Sequence, residues 1–298
     1  MGNSQQADRV VDDLTVIVPT VGRPLLEKCL QGISKGSKIP AKIIVIDQGE
    51  NPEVVDWIGD LNAPGMEAIH LPSNERSPAS ARNAGIEQVK TSFVVAIDDD
   101  CIPEWNWLEK MESQLRKNSN SIITGLVNPA GEGIPPSITT SKIRKLTIRP
   151  NIRFHSPMTS GNMGFTLSTA KKIGPFDETL YTAEDNDWAY RALRSGIPIL
   201  YDPEIIVYHY HWRDNRDMTA NVLEYASGQG AFFGKHLRHG DLSMLARIAI
   251  HIFRNIRSFF RNLIDKDQFK RDVSIPRLVW FFEGIMLGFR GVESRHGK

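Results

Sequence analysis

Cysteine is nearly absent. Only Cys29 and Cys101 occur in 298 residues, far apart and in no metal-type or redox-type spacing. A disulfide framework is thereby excluded as the source of stability, and a reducing cytoplasm fits. Long apolar runs are missing too. No stretch approaches the ~20 residues that a membrane-spanning helix needs, so the chain is not expected to cross a bilayer. Excess charge of one sign is lacking, with a formal net charge of +1. Nothing global therefore points to nucleic acid as a partner. The opening residues, Met1 to Asp8, are polar and do not read as a signal peptide. Internal repeats and low-complexity tracts are absent.

What is present is an ordinary globular composition, 41% hydrophobic and 24% charged, in a chain long enough to bury a full core. Its length suggests one large domain with an extension, or two domains. The first half alternates short β-branched runs with helical patterns. Leu14-Thr15-Val16-Ile17-Val18, Ile43-Ile44-Val45-Ile46, residues 67–71 and Phe93-Val94-Val95-Ala96-Ile97 read as strands. Helical spacing falls between them at residues 23–33, 52–58 and 78–89, the last with Pro78 suited to a first turn. Strands apolar on both faces and separated by helices predict an α/β fold, a mostly parallel sheet flanked by helices. Ligands in such sheets sit beyond the carboxyl ends of the strands, where Asp47 and Asp98 both fall.

The fourth strand runs straight into Asp98-Asp99-Asp100. Three adjacent carboxylates repel one another unless a cation or hydrogen-bond donors offset them. Hard divalent cations such as Mg2+ and Mn2+ take oxygen ligands and bridge carboxylates to phosphates. In an extended segment Asp98 and Asp100 would face the same side and could share one task. A solvated Asp-rich turn is the alternative.

The ordered set of motifs resembles the family 2 glycosyltransferases and their GT-A fold, a Rossmann-like nucleotide-sugar-binding sheet, from about residue 14 to 211. Val16-Ile17-Val18-Pro19-Thr20 is similar to the opening strand, and the resemblance implies donor contacts near Pro19 and Thr20. Ile44-Val45-Ile46-Asp47 is similar to the second strand, whose aspartate binds base or ribose. Ala81-Arg82-Asn83-Ala84-Gly85 resembles the helix on the diphosphate side, implying donor-side roles for Arg82 and Asn83. Ile97-Asp98-Asp99-Asp100 matches the DxD element. The resemblance implies Asp98 near the ribose, Asp99 as a spacer within the donor site, and Asp100 on a divalent metal, Mn2+ or Mg2+. Cys101 stands where the family often carries a further acidic residue.

A second carboxylate pair opens the helical pattern Thr182-Ala183-Glu184-Asp185-Asn186-Asp187-Trp188. Transfer of a sugar with inversion needs a base for the acceptor hydroxyl, and a carboxylate can serve. The resemblance implies Asp185 as that base, with Glu184 as the second candidate. Spacing alone also permits a capping box between Thr182 and Asp185. Trp188 could stack on an acceptor sugar or pack internally, and Gly161 and Asn162 are expected on the acceptor side. His209 and His211 alternate onto one face after a strand at residues 205–208. His209 is the candidate for completing a metal shell, with a structural role as the alternative.

Residues 128–158 hold five prolines and the basic residues Lys142, Arg144, Lys145, Arg149 and Arg153. The segment reads as a loop that could close over a diphosphate, recognise an anionic acceptor, or simply be solvated. From about residue 215 the chain reads as helical. The expected organisation is a catalytic domain at 14–212, with a donor half at 14–127 and an acceptor half at 159–212, and a helical C-terminal extension at 213–298. Residues 242–264 interleave apolar residues with Arg247, Arg254, Arg257 and Arg261. This pattern suits a helix lying on an anionic membrane surface, or packing against the catalytic domain or a partner subunit, so a cytoplasmic location peripheral to the inner face of the plasma membrane is a further expectation. The reading that follows is an inverting glycosyltransferase using a nucleoside-diphosphate sugar, of UDP or dTDP type, and a saccharide or lipid-linked acceptor in cell-surface polysaccharide or glycolipid assembly. A sugar nucleotidyltransferase would show a glycine-rich loop after the first strand, whereas Pro19-Thr20-Val21-Gly22-Arg23-Pro24 holds a single glycine. A non-catalytic nucleotide-sugar-binding module is the remaining alternative.

Overall fold

The computed structural model describes residues 9–61, 63–131, 145–148, 158–210, 215–264 and 268–291. Strands β1 (Val10–Thr20), β2 (Ile39–Asp47), β3 (Glu67–Pro72) and β4 (Phe93–Ile97) pair in parallel in the order β3-β2-β1-β4. Helices α1 (Leu25–Ser34), α2 (Glu53–Gly59) and α3 (Pro78–Gln88) connect them. Beyond β4 the sheet is mixed. It continues through β8 (Asn162–Thr166), β6 (Ile122–Ala130), β9 (Ile199–Tyr210) and β5 (Cys101–Pro103), with β7 (Leu146–Ile148) also on β9. β8 is antiparallel to both neighbours, and β6 pairs with β9 in parallel.

Both faces of the sheet are covered, which is why its strands carry so little polar alternation. Val16 and Val18 of β1, Ile43 and Val45 of β2, and Val95 and Ile97 of β4 share one core with Leu26 and Leu30 of α1. The same core takes Met111 and Leu115 of α4 (Trp107–Lys117). The sequence reading did not anticipate α4, although its apolar residues have helical spacing. On the other face α3 lies close because its contact residue is Gly85, where a Cβ would fall 2.8 Å from Ile46 Cδ1. Ser77 caps α3 by accepting a hydrogen bond from the Ser80 amide at 3.0 Å, and Pro78 occupies the first turn as predicted.

After α5 (Leu167–Ile173) comes α6 (Glu184–Arg194), then α7 (Asn215–Arg238), α8 (Ser243–Ile264) and α9 (Gln268–Arg290). The chain divides into two compact units. The first holds the sheet and helices α1–α5, with the chain from Trp188 through β9. The second holds Asp177–Asp187 together with the three C-terminal helices. The division thus differs from a boundary near residue 212, because Glu184 and Asp185 group with the C-terminal helices.

Within the second unit α7 and α9 meet backbone to backbone. A Cβ on Gly230 or Gly234 of α7 would fall 2.1 Å from the carbonyl oxygen of Phe281 or Ile285, respectively. On α9, a Cβ at Gly284 would meet the Ser227 carbonyl oxygen at 2.0 Å, and one at Gly288 the Ala231 oxygen at 2.1 Å. Each helix therefore carries a Gly-xxx-Gly pair that permits close helix approach. No helix among the described residues is long and apolar enough to cross a membrane.

Candidate active site

Parallel register brings the ends of three strands to one edge. Thr20 pairs with Asp47, and Ile17 with Ala96 one residue before Ile97 and the aspartates. The aspartates then leave the strand in a turn, closed by the Cys101 amide donating to the Asp98 carbonyl at 3.0 Å. The extended path expected from sequence is therefore replaced, and the three carboxylates point to three different sets of partners.

Asp98 is the most open of the three, its side chain 35% exposed against 1% for Asp99 and 6% for Asp100. Arg82 Nη2 pairs with Asp98 Oδ1 at 3.0 Å and donates to Ser160 Oγ at 2.7 Å. Gly161 makes room beside it, since a Cβ there would fall 2.7 Å from Asp98 Oδ2. Asp99 is buried and held by Thr20 Oγ1, which donates to it at 2.6 Å, and by the guanidinium of Arg23. Burial pushes the Asp99 carboxyl up to about 6, reinforced by Asp100 and Asp98 and opposed by Arg23 and Thr20. Asp99, placed as a spacer by the resemblance, thus ties the carboxylate turn to the end of β1.

Asp100 faces β9. The Tyr210 amide donates to the Asp100 carbonyl at 2.9 Å, and Cys101 pairs with His209 across β5 and β9. That register sets His209 Nε2 3.1 Å from Asp100 Oδ1. Asp100, Cys101 and His209 form a cluster able to hold a metal ion. Its chemistry selects two of the three as ligands. Burial and the neighbouring carboxylates push the Cys101 thiol well above its ordinary range, and a soft sulfur is the least suited of the three to a hard divalent cation. A carboxylate oxygen and an imidazole nitrogen remain, a donor pair that fits a divalent cation.

Asp47, the predicted base or ribose ligand, ends β2. Its Oδ1 accepts from the Gly49 amide at 2.9 Å, and its Oδ2 lies 3.0 Å from His70 Nε2 on β3. Pro19 sits beside Ile46 at the same edge. Arg23, His70 and Ser160 are site residues that the sequence reading missed. Only Arg23 carried a signal, as a cation directly after the first strand.

Several candidates have internal partners. Asn83 Oδ1 accepts from the Phe176 amide at 2.8 Å while its Nδ2 donates to the Phe176 carbonyl at 3.0 Å. Asn162 cross-links three strands and α4: its Nδ2 donates to the carbonyls of Leu126 and Ile205, and its Oδ1 accepts from Trp107 Nε1 at 2.9 Å. Trp188 is fully buried, stacked on Phe176 at 4.8 Å, with its Nε1 donating to the Gly174 carbonyl at 2.9 Å. Of its two sequence readings, packing is the one the geometry supports, because no face of the indole is left for a sugar.

A family model described as glycosyl transferase family 2 matches residues 15–169, just over half of the chain. The chain belongs to that family. A relative named pre-mycofactocin glycosyltransferase, from Mycobacterium tuberculosis (strain ATCC 25618 / H37Rv), is 26% identical over 238 residues, covering 75% of this chain and 48% of its own length. The chain thus spans about half the length of that relative. Among solved structures, mannosyltransferase PcManGT from Pyrobaculum calidifontis, in complex with GDP-Man and Mn2+, is similar with a TM-score of 0.64 at 14% identity. That likeness covers 93% of this chain and 86% of the other. S. aureus TarS 1-349 in complex with UDP-GlcNAc gives 0.58 at 13% identity, covering 94% and 92%. These likenesses show the fold, an α/β GT-A-type sheet flanked by helices with a helical C-terminal extension.

In the second unit Asp185 is half-buried and Glu184 buried. Asp185 Oδ1 accepts from the Asn186 amide at 2.6 Å. Thr182 lies one position too early to cap α6, and its hydroxyl instead donates to the Glu224 carbonyl at 2.9 Å. The capping box is therefore not formed. Ala183 precedes α6 with φ of 68°, a left-handed conformation uncommon for a residue with a Cβ. Of the basic segment, Lys142, Arg144, Arg149 and Arg153 lie outside the described residues, as does His211. Lys145 pairs with Asp202 at 2.8 Å.

Proposed function

We propose that this family 2 chain transfers a sugar from a nucleoside diphosphate to a hydroxyl acceptor with inversion at the anomeric carbon. The observation that carries the reading is the meeting of Asp100 and His209 at the carboxyl edge of a GT-A-type sheet, beside the open carboxylate of Asp98. Asp100 and His209 would hold a divalent cation, which when bound supplies positive charge against the leaving diphosphate. Asp98 is assigned to the ribose. Asp47, oriented by Gly49 and His70, offers carboxylate acceptors to the imide N–H of a uracil or thymine, favouring UDP or dTDP donors. Asp185 acts as the base: its carboxylate takes the proton of the acceptor hydroxyl as that oxygen bonds to the anomeric carbon. The bond from that carbon to the diphosphate oxygen breaks, and the nucleoside diphosphate leaves. Greater exposure favours Asp185 over Glu184 for this role.

A lipid-linked acceptor is favoured by α8. Leu242, just before it, and Leu245, Phe253, Ile256 and Phe260 are exposed along one side, with Arg254, Arg257 and Arg261 exposed beside them. Such a face suits the surface of an anionic membrane. The test of the main reading is a donor panel of UDP-glucose, UDP-N-acetylglucosamine, dTDP-glucose and GDP-mannose with Mn2+ or Mg2+. Thermal stabilisation and nucleoside diphosphate release are read together. Stabilisation by a UDP or dTDP donor that requires the metal is expected, and stabilisation by no nucleotide would sink the proposal.

A further inference from the structure

The segment Asp177–Asp187, which carries Glu184 and Asp185, is fastened to α7 at both ends and in the middle. Lys235 Nζ lies 2.5 Å from Asp177 Oδ2 and 2.8 Å from Asp187 Oδ1, so one ammonium joins the first residue of the segment to the last. His236 Nε2 approaches the same Asp187 oxygen at 2.8 Å. Midway, Thr182 donates to the Glu224 carbonyl. Gly228 lets the helix come this close, since a Cβ there would fall 2.0 Å from Thr182 Oγ1 and 2.4 Å from its carbonyl oxygen.

The chemistry of these contacts makes them restraints. Asp187 is fully buried, and a buried carboxylate needs compensating charge and donors. Burial works to raise the Asp177 carboxyl, but Lys235 and Thr179 together outweigh it and hold it below the ordinary carboxylate range. Both ends of the segment are thus anchored to the Lys235 ammonium. Between them Ala183 holds its left-handed conformation, a strained state that persists only where surroundings over-determine it. A loop closed at its base and pinned at its centre has little freedom left to lose. A reacting group benefits from that, because a displacement of roughly 1 Å can cost about a hundredfold in rate.

We propose that α7 is the positioning element of the transferase base: Lys235 and His236 act through Asp187, and Lys235 also through Asp177, to hold Asp185 in its working position. The proposal rests on the assignment of Asp185 as the base. It also gives α9 a role, since α9 supports α7 through the glycine contacts of Gly230, Gly234, Gly284 and Gly288. The C-terminal helices then belong to the catalytic machinery as well as to any membrane contact.

The test compares Lys235→Met, Lys235→Arg and Asp177→Asn in the full chain with the wild type. Hydrogen–deuterium exchange is followed at the amides of residues 178–187 and of β1–β4. In Lys235→Met the 178–187 amides should exchange about tenfold faster or more, since local opening governs exchange, while β1–β4 is unchanged. Binding of UDP with Mn2+, read as a thermal shift, should persist. With UDP-N-acetylglucosamine or UDP-glucose as donor, kcat for UDP release should fall by about a hundredfold with donor KM unchanged. Lys235→Arg, whose guanidinium can span both carboxylates, should restore most of it. Asp177→Asn keeps the Lys235–Asp187 pair and covers the case in which Lys235→Met does not fold; it should loosen residues 178–187 to a smaller extent. Unchanged exchange in that segment in either variant overturns the proposal whatever the turnover, as does a raised KM with intact kcat. If Asp185→Asn retains wild-type turnover, the base assignment fails instead, a result distinct from the exchange measurement.

Discussion

The two carboxylate groups of this protein are held in place by opposite means. Asp98, Asp99 and Asp100 leave the end of a central parallel strand; strand register supplies Thr20 from β1 and His209 from β9, and the helix just before β4 supplies Arg82. Glu184 and Asp185 sit on a segment outside the sheet, secured by one helix through the two ion pairs of Lys235, with Asp187 buried and Asp177 partly exposed, and a missing side chain at Gly228. A site made by register is as rigid as the sheet. A site made by helix contact is only as rigid as the helix pair behind it.

The comparison can be sharpened in the second unit first. Replacing Arg254, Arg257 and Arg261 by Gln should weaken binding to anionic vesicles by about 3 kcal/mol, roughly two orders of magnitude, at ~1 kcal/mol per basic residue near the surface. Donor binding should be untouched; vesicle binding that survives the triple change would show that these arginines do not make the contact, and a wild type that does not bind the vesicles would point to packing instead. Next, Gly230→Ala places a methyl group against the Phe281 carbonyl and should cost about 1–3 kcal/mol by overpacking. Exchange should rise in α7, α9 and residues 178–187, with β1–β4 and the nucleotide-induced thermal shift preserved. Uniform destabilisation of the sheet would show that the two regions are not separable.

Much of the first region was legible because its signals are local. Val16-Ile17-Val18 and Phe93-Val94-Val95-Ala96-Ile97 announce buried strands, and a strand ending in aspartates announces the ligand edge. What was not legible depends on residues far apart in the chain. Asp99 is fixed by a hydroxyl 79 positions away, so no spacing could show that it is a tie to β1. Trp188, Asn162 and Asn83 have residue types that suit a binding site, yet their partners are Gly174, Leu126, Ile205 and Phe176, internal atoms set by tertiary packing. The turn at Asp98–Asp100 replaced an extended path because Cys101 must begin the short strand β5 against β9. The second region did carry a readable signal, the i, i+4 glycine pairs Gly230 and Gly234, and Gly284 and Gly288. It lay in what those positions lack, where a search for chemical groups does not look.

The central claim is that Asp100 joins the donor to the protein through a divalent cation. Calorimetric titration of UDP into the wild type and into Asp100→Asn, each with and without Mn2+, tests it most directly. The account predicts that Mn2+ tightens UDP binding to the wild type and has little effect on the variant, while the variant keeps a wild-type melting profile. Equal enhancement by Mn2+ in both proteins would contradict it.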